Sequence, residues 1–310
     1  MGNSITCIFC NNECQSTDEH IVPEFLGGTL VIKEVCKDCN SKMGSDFEGP
    51  LSRSVIFRLP RHLYGIQGKS MSPINAFPGA GTTDDGTKIR LDSEFKPYIV
   101  TKVDENKVEG GVEVNLVVDA SDKDRIPQIV EAKIRRTAKN EWPDMTSAEA
   151  DALVKKALDA LPTEYQTQKS QPTIKYSERI DINHLTLLMM KIAYEIAYHH
   201  FGSKVLNDVS NNKLRDAICN RDAKAEIAGG LFPKPDPFLF VTAPENCHCV
   251  ILCQNMCYMR LFNITAIIQV SEKGSPFSLA EENWVVYWFN YIDKEWKKEN
   301  FLSYITGLII

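Results

Sequence analysis

The spacing of apolar residues changes character along the chain. Residues 112–118 alternate between apolar and polar side chains, which is typical of a strand with one buried face. From residue 126 to 134 the apolar side chains recur three or four positions apart, and a second stretch read as helical opens at Ser147 and reaches residue 161. Both stretches are expected to be amphipathic helices.

The longest predicted helix covers about residues 183–200 and ends at Gly202. It carries a broad apolar face, which indicates a central position in the core. That face consists of Leu185, Leu188, Met189, Ile192, Ala193 and Ile196. After this helix the composition favours strands at residues 238–241, 250–252, 261–270 and 284–291.

Turn-forming residues interrupt these patterns between residues 66 and 95, where glycine, proline and serine are frequent and periodic apolar positions are few. We therefore predict a linker or long loop there. The predicted organisation is a small cysteine-containing domain over residues 1–65, the linker, and a larger α+β domain over residues 96–310.

Composition and charge narrow the function classes. The chain has 310 residues, 43% of them hydrophobic, which is ordinary for a globular protein. Its formal net charge of −6 argues against wholesale coating of nucleic acid, so any DNA contact is expected to be local. No stretch reaches the roughly 18 apolar residues of a membrane span, and no basic, apolar leader pattern is present. We expect a cytoplasmic protein without a membrane partner.

Two cysteine pairs stand in the first forty residues. Cys7-x-x-Cys10 is followed by Cys36-x-x-Cys39, and two such knuckles can complete a tetrahedral, all-thiolate zinc site. A site with four protein ligands is closed to water, so this Zn²⁺ is expected to be structural. Cys14 is interpreted as a loop thiol because the ligand set is already full.

A later cysteine group permits two interpretations. Cys247, His248, Cys249, Cys253 and Cys257 could form a second zinc site, but their spacing is not that of knuckles. Cys249 and Cys253 also alternate with apolar residues as buried strand positions do. Core packing is therefore the favoured interpretation.

The residues between and after the knuckles carry the most specific signal. Glu19-His20-Ile21-Val22-Pro23 and Gly27-Gly28 lie between them, and Asn40 directly follows Cys39. This order resembles the HNH endonucleases, also called the ββα-metal or His-Me finger superfamily, in their four-cysteine zinc form. The resemblance covers about residues 5–50 and implies a small ββα-metal domain at the front of the chain.

The resemblance implies a role for each motif residue. His20 corresponds to the general base that activates water, and Glu19 and Asn40 correspond to ligands of one catalytic Mg²⁺ or Mn²⁺. These residue types suit the chemistry, because a neutral imidazole can take a proton near pH 7 and carboxylate and amide oxygens bind Mg²⁺. The implied function is metal-dependent hydrolysis of DNA phosphodiester bonds.

Two positions depart from the family pattern. The asparagine that often precedes the second knuckle is missing, since residues 32–35 read Ile-Lys-Glu-Val. Gly44 stands where the fully lettered motif has its second histidine. The second departure concerns metal affinity and rate rather than the reaction class.

Candidate DNA contacts are few. Lys42 follows the motif on the same predicted helix, and Lys133, Arg136 and Lys139 would share one helix face that could follow a DNA backbone. For Lys42 a solvated helix charge is an equally simple interpretation, and for the other three cations a solvated helix face is the more frequent meaning. Glu48 is likewise expected to face solvent.

Several interpretations of the whole protein stay open. The leading one is a DNA endonuclease, with restriction or anti-phage defence as its setting and a homodimer as its assembly. A second treats the cysteine unit as a non-catalytic zinc ribbon that binds DNA or protein. A third makes the C-terminal region a sensor for a small-molecule or protein activator.

Overall fold

A computed structural model describes residues 4–67, 74–108, 111–162, 166, 173–232 and 244–309. The chain divides into two compact units. The first joins Met1–Ala76 with Glu178–Ile310, and the second is the intervening segment Phe77–Ser177. The two ends of the chain therefore fold together.

The first unit begins with three antiparallel strands and a helix. The strands are β1 (Ser4–Thr6), β2 (Glu13–His20) and β3 (Val31–Cys36). Helix α1 (Lys37–Met43) follows β3 at once and continues through a π-helical turn, Gly44–Glu48, into α2 (Gly49–Ser52) and α3 (Val55–Leu63). This is the ββα arrangement that the resemblance implies.

In its described residues, the second unit contains two small sheets and two helices. One sheet has the strand order β4 (Ala80–Thr82), β5 (Lys88–Leu91), β6 (Pro97–Ile99), and the other is the hairpin of β7 (Lys102–Val108) and β8 (Gly111–Val117). The helices are α4 (Ile126–Glu141) and α5 (Ser147–Asp159). Thr146 and Glu149 form a capping box at the start of α5, so the cap lies one residue before the predicted start at Ser147.

Helix α6 (Ile182–Phe201) is the centre of the first unit. Asp181 caps its first turn, and it ends at Gly202, whose φ of 73° favours glycine. The whole predicted apolar face is buried, together with Lys191 and Glu195 on the same helix. Helix α7 (Val209–Asn220) packs beside it.

The described residues after α7 form an antiparallel sheet in the order β14-β13-β10-β11-β12-β9, together with one further α-helix. Its strands are β9 (Gly229–Leu231), β10 (Cys247–Cys253), β11 (Met256–Leu261), β12 (Ile264–Gln269), β13 (Val285–Asn290) and β14 (Glu295–Asn300). Helix α8 (Phe301–Ile309) follows the last strand. The strand predicted at residues 238–241 lies outside the described residues.

Both faces of this sheet are covered, which explains why β10 and β13 are almost continuously apolar. One face, with Val250 and Tyr287, joins the core that contains α6 and the N-terminal ββα strands. The other face, with Cys249 and Trp288, packs against Phe301 at the start of α8. The late cysteines are thus core residues as favoured, and among the described residues they form no metal-ligating group.

The structure confirms an α+β fold with the ββα unit at the N-terminus. The two compact units have different boundaries from the predicted segments 1–65, 66–95 and 96–310. The assignment of a separate function to each of those segments stays a prediction. The reason for the difference is that α6 and the six-stranded sheet bury the apolar surface of the N-terminal strands. The turn-rich stretch expected to be a linker contains strands β4 and β5.

Within the described residues, no helix has the length and apolar character needed to cross a membrane.

Candidate metal-dependent nuclease site

The four predicted zinc ligands converge. The Sγ atoms of Cys7, Cys10, Cys36 and Cys39 all lie within 4.8 Å of one another. Tetrahedral coordination with Zn–S bonds of about 2.3 Å places sulfurs about 3.8 Å apart. The Cys10 and Cys36 Sγ atoms are 3.9 Å apart, so the cluster fits a single ion.

Backbone amides support these thiolates. The amide of Cys36 donates to Cys7 Sγ, and the amide of Cys39 donates to Cys36 Sγ, each at 3.4 Å. Cys36 is thereby also the N-cap of α1. Cys14 is not one of the four clustered sulfurs, although its thiol lies near Cys36, and its Sγ donates to the carbonyl oxygen of Ile5 at 3.8 Å. The four cysteines are positioned to bind a metal ion, consistent with structural zinc.

His20 is the last residue of β2, where it pairs with Val31 across the hairpin. The chain then runs through Gly27 and Gly28 before β3 begins. A side chain at Gly27, whose φ is 86°, would meet Tyr291 at 2.7 Å, and one at Gly28 would overlap the carbonyl of Val22. The Gly-Gly pair is therefore required for the close approach of this loop to its neighbours.

Asn40 lies on α1, directly after the second knuckle. Its Nδ2 donates to the main-chain oxygen of Asp18 at 3.0 Å and to Thr17 Oγ1 at 3.3 Å. These contacts fall at the β-bulge that precedes Glu19 and His20. Both hydrogen bonds use the amide nitrogen, so the amide oxygen is the atom that can bind a cation.

Glu19 is buried, with 4% of its surface exposed. Its Oε1 lies 2.5 Å from Nζ of Lys191, a residue of α6. The structure thus places the predicted metal ligand against an ammonium group that the sequence motif does not contain. A divalent ion bound by Glu19 would share the carboxylate with Lys191.

Lys191 is the centre of a buried charge cluster formed with Glu19, Glu48 and Glu195. Its Nζ lies 3.0 Å from Glu48 Oε1 and 3.2 Å from Glu195 Oε2, in addition to the Glu19 contact. It also donates to the main-chain oxygen of His20 at 2.6 Å. Glu48, expected to face solvent, instead belongs to this cluster. We refer to these four side chains as the Lys191 cluster.

The charge states within the Lys191 cluster follow from burial and proximity. Burial disfavours the ammonium, but the three carboxylates outweigh it and hold the pKa of Lys191 well above its usual value. Burial raises the pKa of Glu195 well above its usual value, with Lys191 acting in the opposite direction. Removing one partner of a buried ion pair costs about 3–5 kcal/mol, because the other charge is left unpaired.

Sequence reasoning missed Lys191 and Glu195. The available signal was a lysine and a glutamate four positions apart inside an otherwise apolar helix, which places both on the buried face. The other partners of Lys191, Glu19 and Glu48, lie more than 140 residues earlier in the chain, so helical periodicity does not indicate that they meet.

His248 joins the sheet to the loop that follows His20. It is fully buried in β10, and its Nε2 donates to the carbonyl oxygen of Leu26 at 2.9 Å. Its Nδ1 accepts from the amide of Phe262 at 3.3 Å. Burial lowers the pKa of His248 to about 4, so the ring is neutral when it makes both contacts.

Lowering the pH is expected to destabilise the protein through His248. The unfolded chain protonates this imidazole near its ordinary pKa of 6.5, whereas the folded protein protonates it near pH 4. The stabilising contribution is therefore complete above pH 6.5 and is lost as the pH falls toward 4. It amounts to about 3 kcal/mol. Thermal unfolding midpoints across this range measure the effect.

A His248→Gln variant is the control, since glutamine stays neutral at every pH. The variant should show a flatter pH dependence than the wild type at equal zinc content. Parallel curves for the two proteins would contradict this role of His248.

The predicted DNA-contact residues lie on two helices. Lys42 is exposed on α1 of the first unit. Arg136 and Lys139 are exposed on α4 of the second unit, and Lys133 is half-buried on the same helix. The neighbouring Arg135 is paired with Glu131 and Asp151. A role of these cations in binding nucleic acid stays a prediction.

Comparison with known proteins identifies the N-terminal segment. Residues 7–56 match the family model described as HNH endonuclease. Neither the curated proteins nor the solved structures contain a match to the chain. The matched segment holds the four clustered cysteines, His20, Asn40 and Glu48. Residues 7–56 therefore match the HNH endonuclease family, which confirms the resemblance inferred from the sequence and supports a nuclease-type function in general terms.

Proposed function

We propose that this protein is a metal-dependent endonuclease that hydrolyses phosphodiester bonds of DNA. The observation that carries the proposal is the link between α1 and β2. Asn40 is hydrogen-bonded to the strand two residues before His20, within the segment that matches the HNH endonucleases. The proposed base and a proposed metal ligand thus belong to one hairpin-helix unit.

In the proposed reaction His20 accepts a proton from a water molecule as the water oxygen attacks the phosphorus atom. The bond from phosphorus to the leaving oxygen breaks, and that oxygen is protonated by solvent. Glu19 and the amide oxygen of Asn40 would hold Mg²⁺ or Mn²⁺, which stabilises negative charge on the phosphate when bound. The zinc site holds the hairpin and helix together and takes no part in the chemistry.

Binding of DNA is assigned to a small number of cations. Lys42 is close in sequence to Asn40, and Lys133, Arg136 and Lys139 provide a second, separate basic helix face. The net charge of −6 predicts weak intrinsic affinity, so a homodimer or an activator acting through the C-terminal region is part of the proposal. A restriction or anti-phage role is proposed on analogy of architecture alone.

A second candidate function is a zinc-ribbon module that binds DNA or protein without cleaving it. The observation that favours it is the 2.5 Å contact between Glu19 and Lys191, which gives Glu19 a structural role without any metal. Under this alternative, DNA binding needs no added divalent ion and no cleavage occurs.

Conversion of supercoiled plasmid by the desalted, zinc-loaded protein separates the two functions. With Mg²⁺ or Mn²⁺ added, the nuclease is expected to produce nicked and then linear DNA, and without added ion the plasmid should stay supercoiled. Zinc content is measured before and after the reaction, so that loss of the structural ion is not mistaken for the effect of leaving out Mg²⁺ or Mn²⁺. Binding without cleavage at every metal concentration, with and without cell extract as a source of activator, would favour the zinc ribbon.

A further inference from the structure

Lys191 contacts both parts of the proposed site. On the strand side, Nζ binds the carboxylate of Glu19 and the main-chain oxygen of His20. On the helix side, it binds Glu48, which lies at the end of the helical turn that continues α1 beyond Asn40. One ammonium therefore joins the strand of the general base to the helix of the second ligand.

These contacts of Lys191 lie in the protein interior. The Lys191 side chain is 0% exposed, and Glu195 one turn along α6 is also 0% exposed. Adjacent residues of a strand point to opposite faces, and here Glu19 is buried while His20 is half-buried. A contact to the side chain of Glu19 and the backbone of His20 fixes both residues at once.

We infer that Lys191 is a positioning residue that holds Glu19, His20 and the helix of Asn40 in the arrangement that binds the divalent ion. The inference rests on the proposed function, because it assigns Lys191 to the metal site of that reaction. Groups that orient the ligands of a metal typically change its affinity about 10- to 100-fold when they are replaced. The metal site is thus completed by α6, from a part of the chain outside the matched HNH segment.

Mn²⁺ binding to the zinc-loaded, full-length protein tests this without DNA or catalysis. The loss of the free Mn²⁺ signal in electron paramagnetic resonance gives the dissociation constant, and thiolate ligands keep zinc in preference to manganese. Lys191→Met, which keeps the length of the side chain and removes the ammonium, should weaken binding about tenfold or more. Lys204→Met is the matched control, since it makes the same substitution at an exposed lysine outside the Lys191 cluster, and it should change binding less than about twofold.

The Asn40→Ala variant shows whether the bound Mn²⁺ occupies the proposed metal site. If Asn40→Ala weakens binding and Lys191→Met leaves it unchanged or strengthens it, the inference is wrong and the proposed function stands. If the wild type has no Mn²⁺ site that depends on Asn40, the proposed metal centre is wrong and the inference falls with it. If Lys191→Met fails to fold, the same substitution is made in the Glu195→Gln background, which has one buried carboxylate fewer. The Mn²⁺ affinity of this double variant is compared with that of Glu195→Gln alone, and an unchanged affinity overturns the inference.

Discussion

Replacement of Cys36 by serine is expected to abolish zinc binding and unfold the first compact unit. Serine retains a hydrogen-bond acceptor for the N-cap of α1, so the variant tests the thiolate rather than the cap. Binding of structural zinc contributes about 10–16 kcal/mol in small zinc modules. Because the whole stability of a domain is about 5–15 kcal/mol, loss of the ion is expected to be decisive.

The effect should extend beyond the N-terminal strands. Cys7, Val35 and Cys36 belong to the same buried core as α6 and the large sheet. Unfolding of the zinc knuckles would expose that core to water. Zinc content by mass spectrometry and thermal unfolding by circular dichroism measure the two parts of this prediction.

Cys14→Ser is the matched control for this experiment. It also removes a thiol near the knuckles, but Cys14 is outside the four-sulfur cluster. It should retain one zinc per chain and unfold near the wild-type temperature. A Cys36→Ser protein with full zinc content and an unchanged unfolding temperature would contradict the zinc assignment.

The zinc cluster and α6 illustrate what could be predicted from the sequence. The ligand set follows from two Cys-x-x-Cys pairs, and the helix follows from its apolar spacing and the glycine that ends it. Both signals are local. The helix depends on the spacing of residues a few positions apart, and the metal site depends on two Cys-x-x-Cys pairs that together supply all four ligands. The observed α6, Ile182–Phe201, differs by one residue at each end from the predicted helix.

The Lys191 cluster illustrates what could not be predicted. Glu19 was assigned to a metal from its motif, and the lysine that contacts it lies 172 positions later in the chain. Periodicity places Lys191 on a buried face but does not say which surface covers that face. The return of residues 178–310 to pack with the first 76 residues escaped prediction for the same physical reason.

Replacement of His20 by alanine is expected to lower the rate of DNA cleavage by about two to four orders of magnitude. The reason is the loss of the group proposed to take the proton from the attacking water. The fold should survive, because Lys191 binds the main-chain oxygen of His20, which alanine retains. Unfolding temperature and zinc content should therefore stay close to those of the wild type.

His184→Ala provides a control for the loss of a histidine. His184 lies at the start of α6, with its Nδ1 3.7 Å from an oxygen of Asp181, and has no proposed role in the reaction. Its replacement should leave the cleavage rate within about twofold of the wild type, since substitutions near the surface seldom change stability by more than about 0.5 kcal/mol.

The most direct test of the central claim is the nicking rate of supercoiled plasmid at saturating Mg²⁺, measured in parallel for the wild type, His20→Ala and His184→Ala at equal zinc content. The account predicts cleavage by the wild type and by His184→Ala, and a loss of about 100-fold or more for His20→Ala. Cleavage by His20→Ala at the wild-type rate would contradict it.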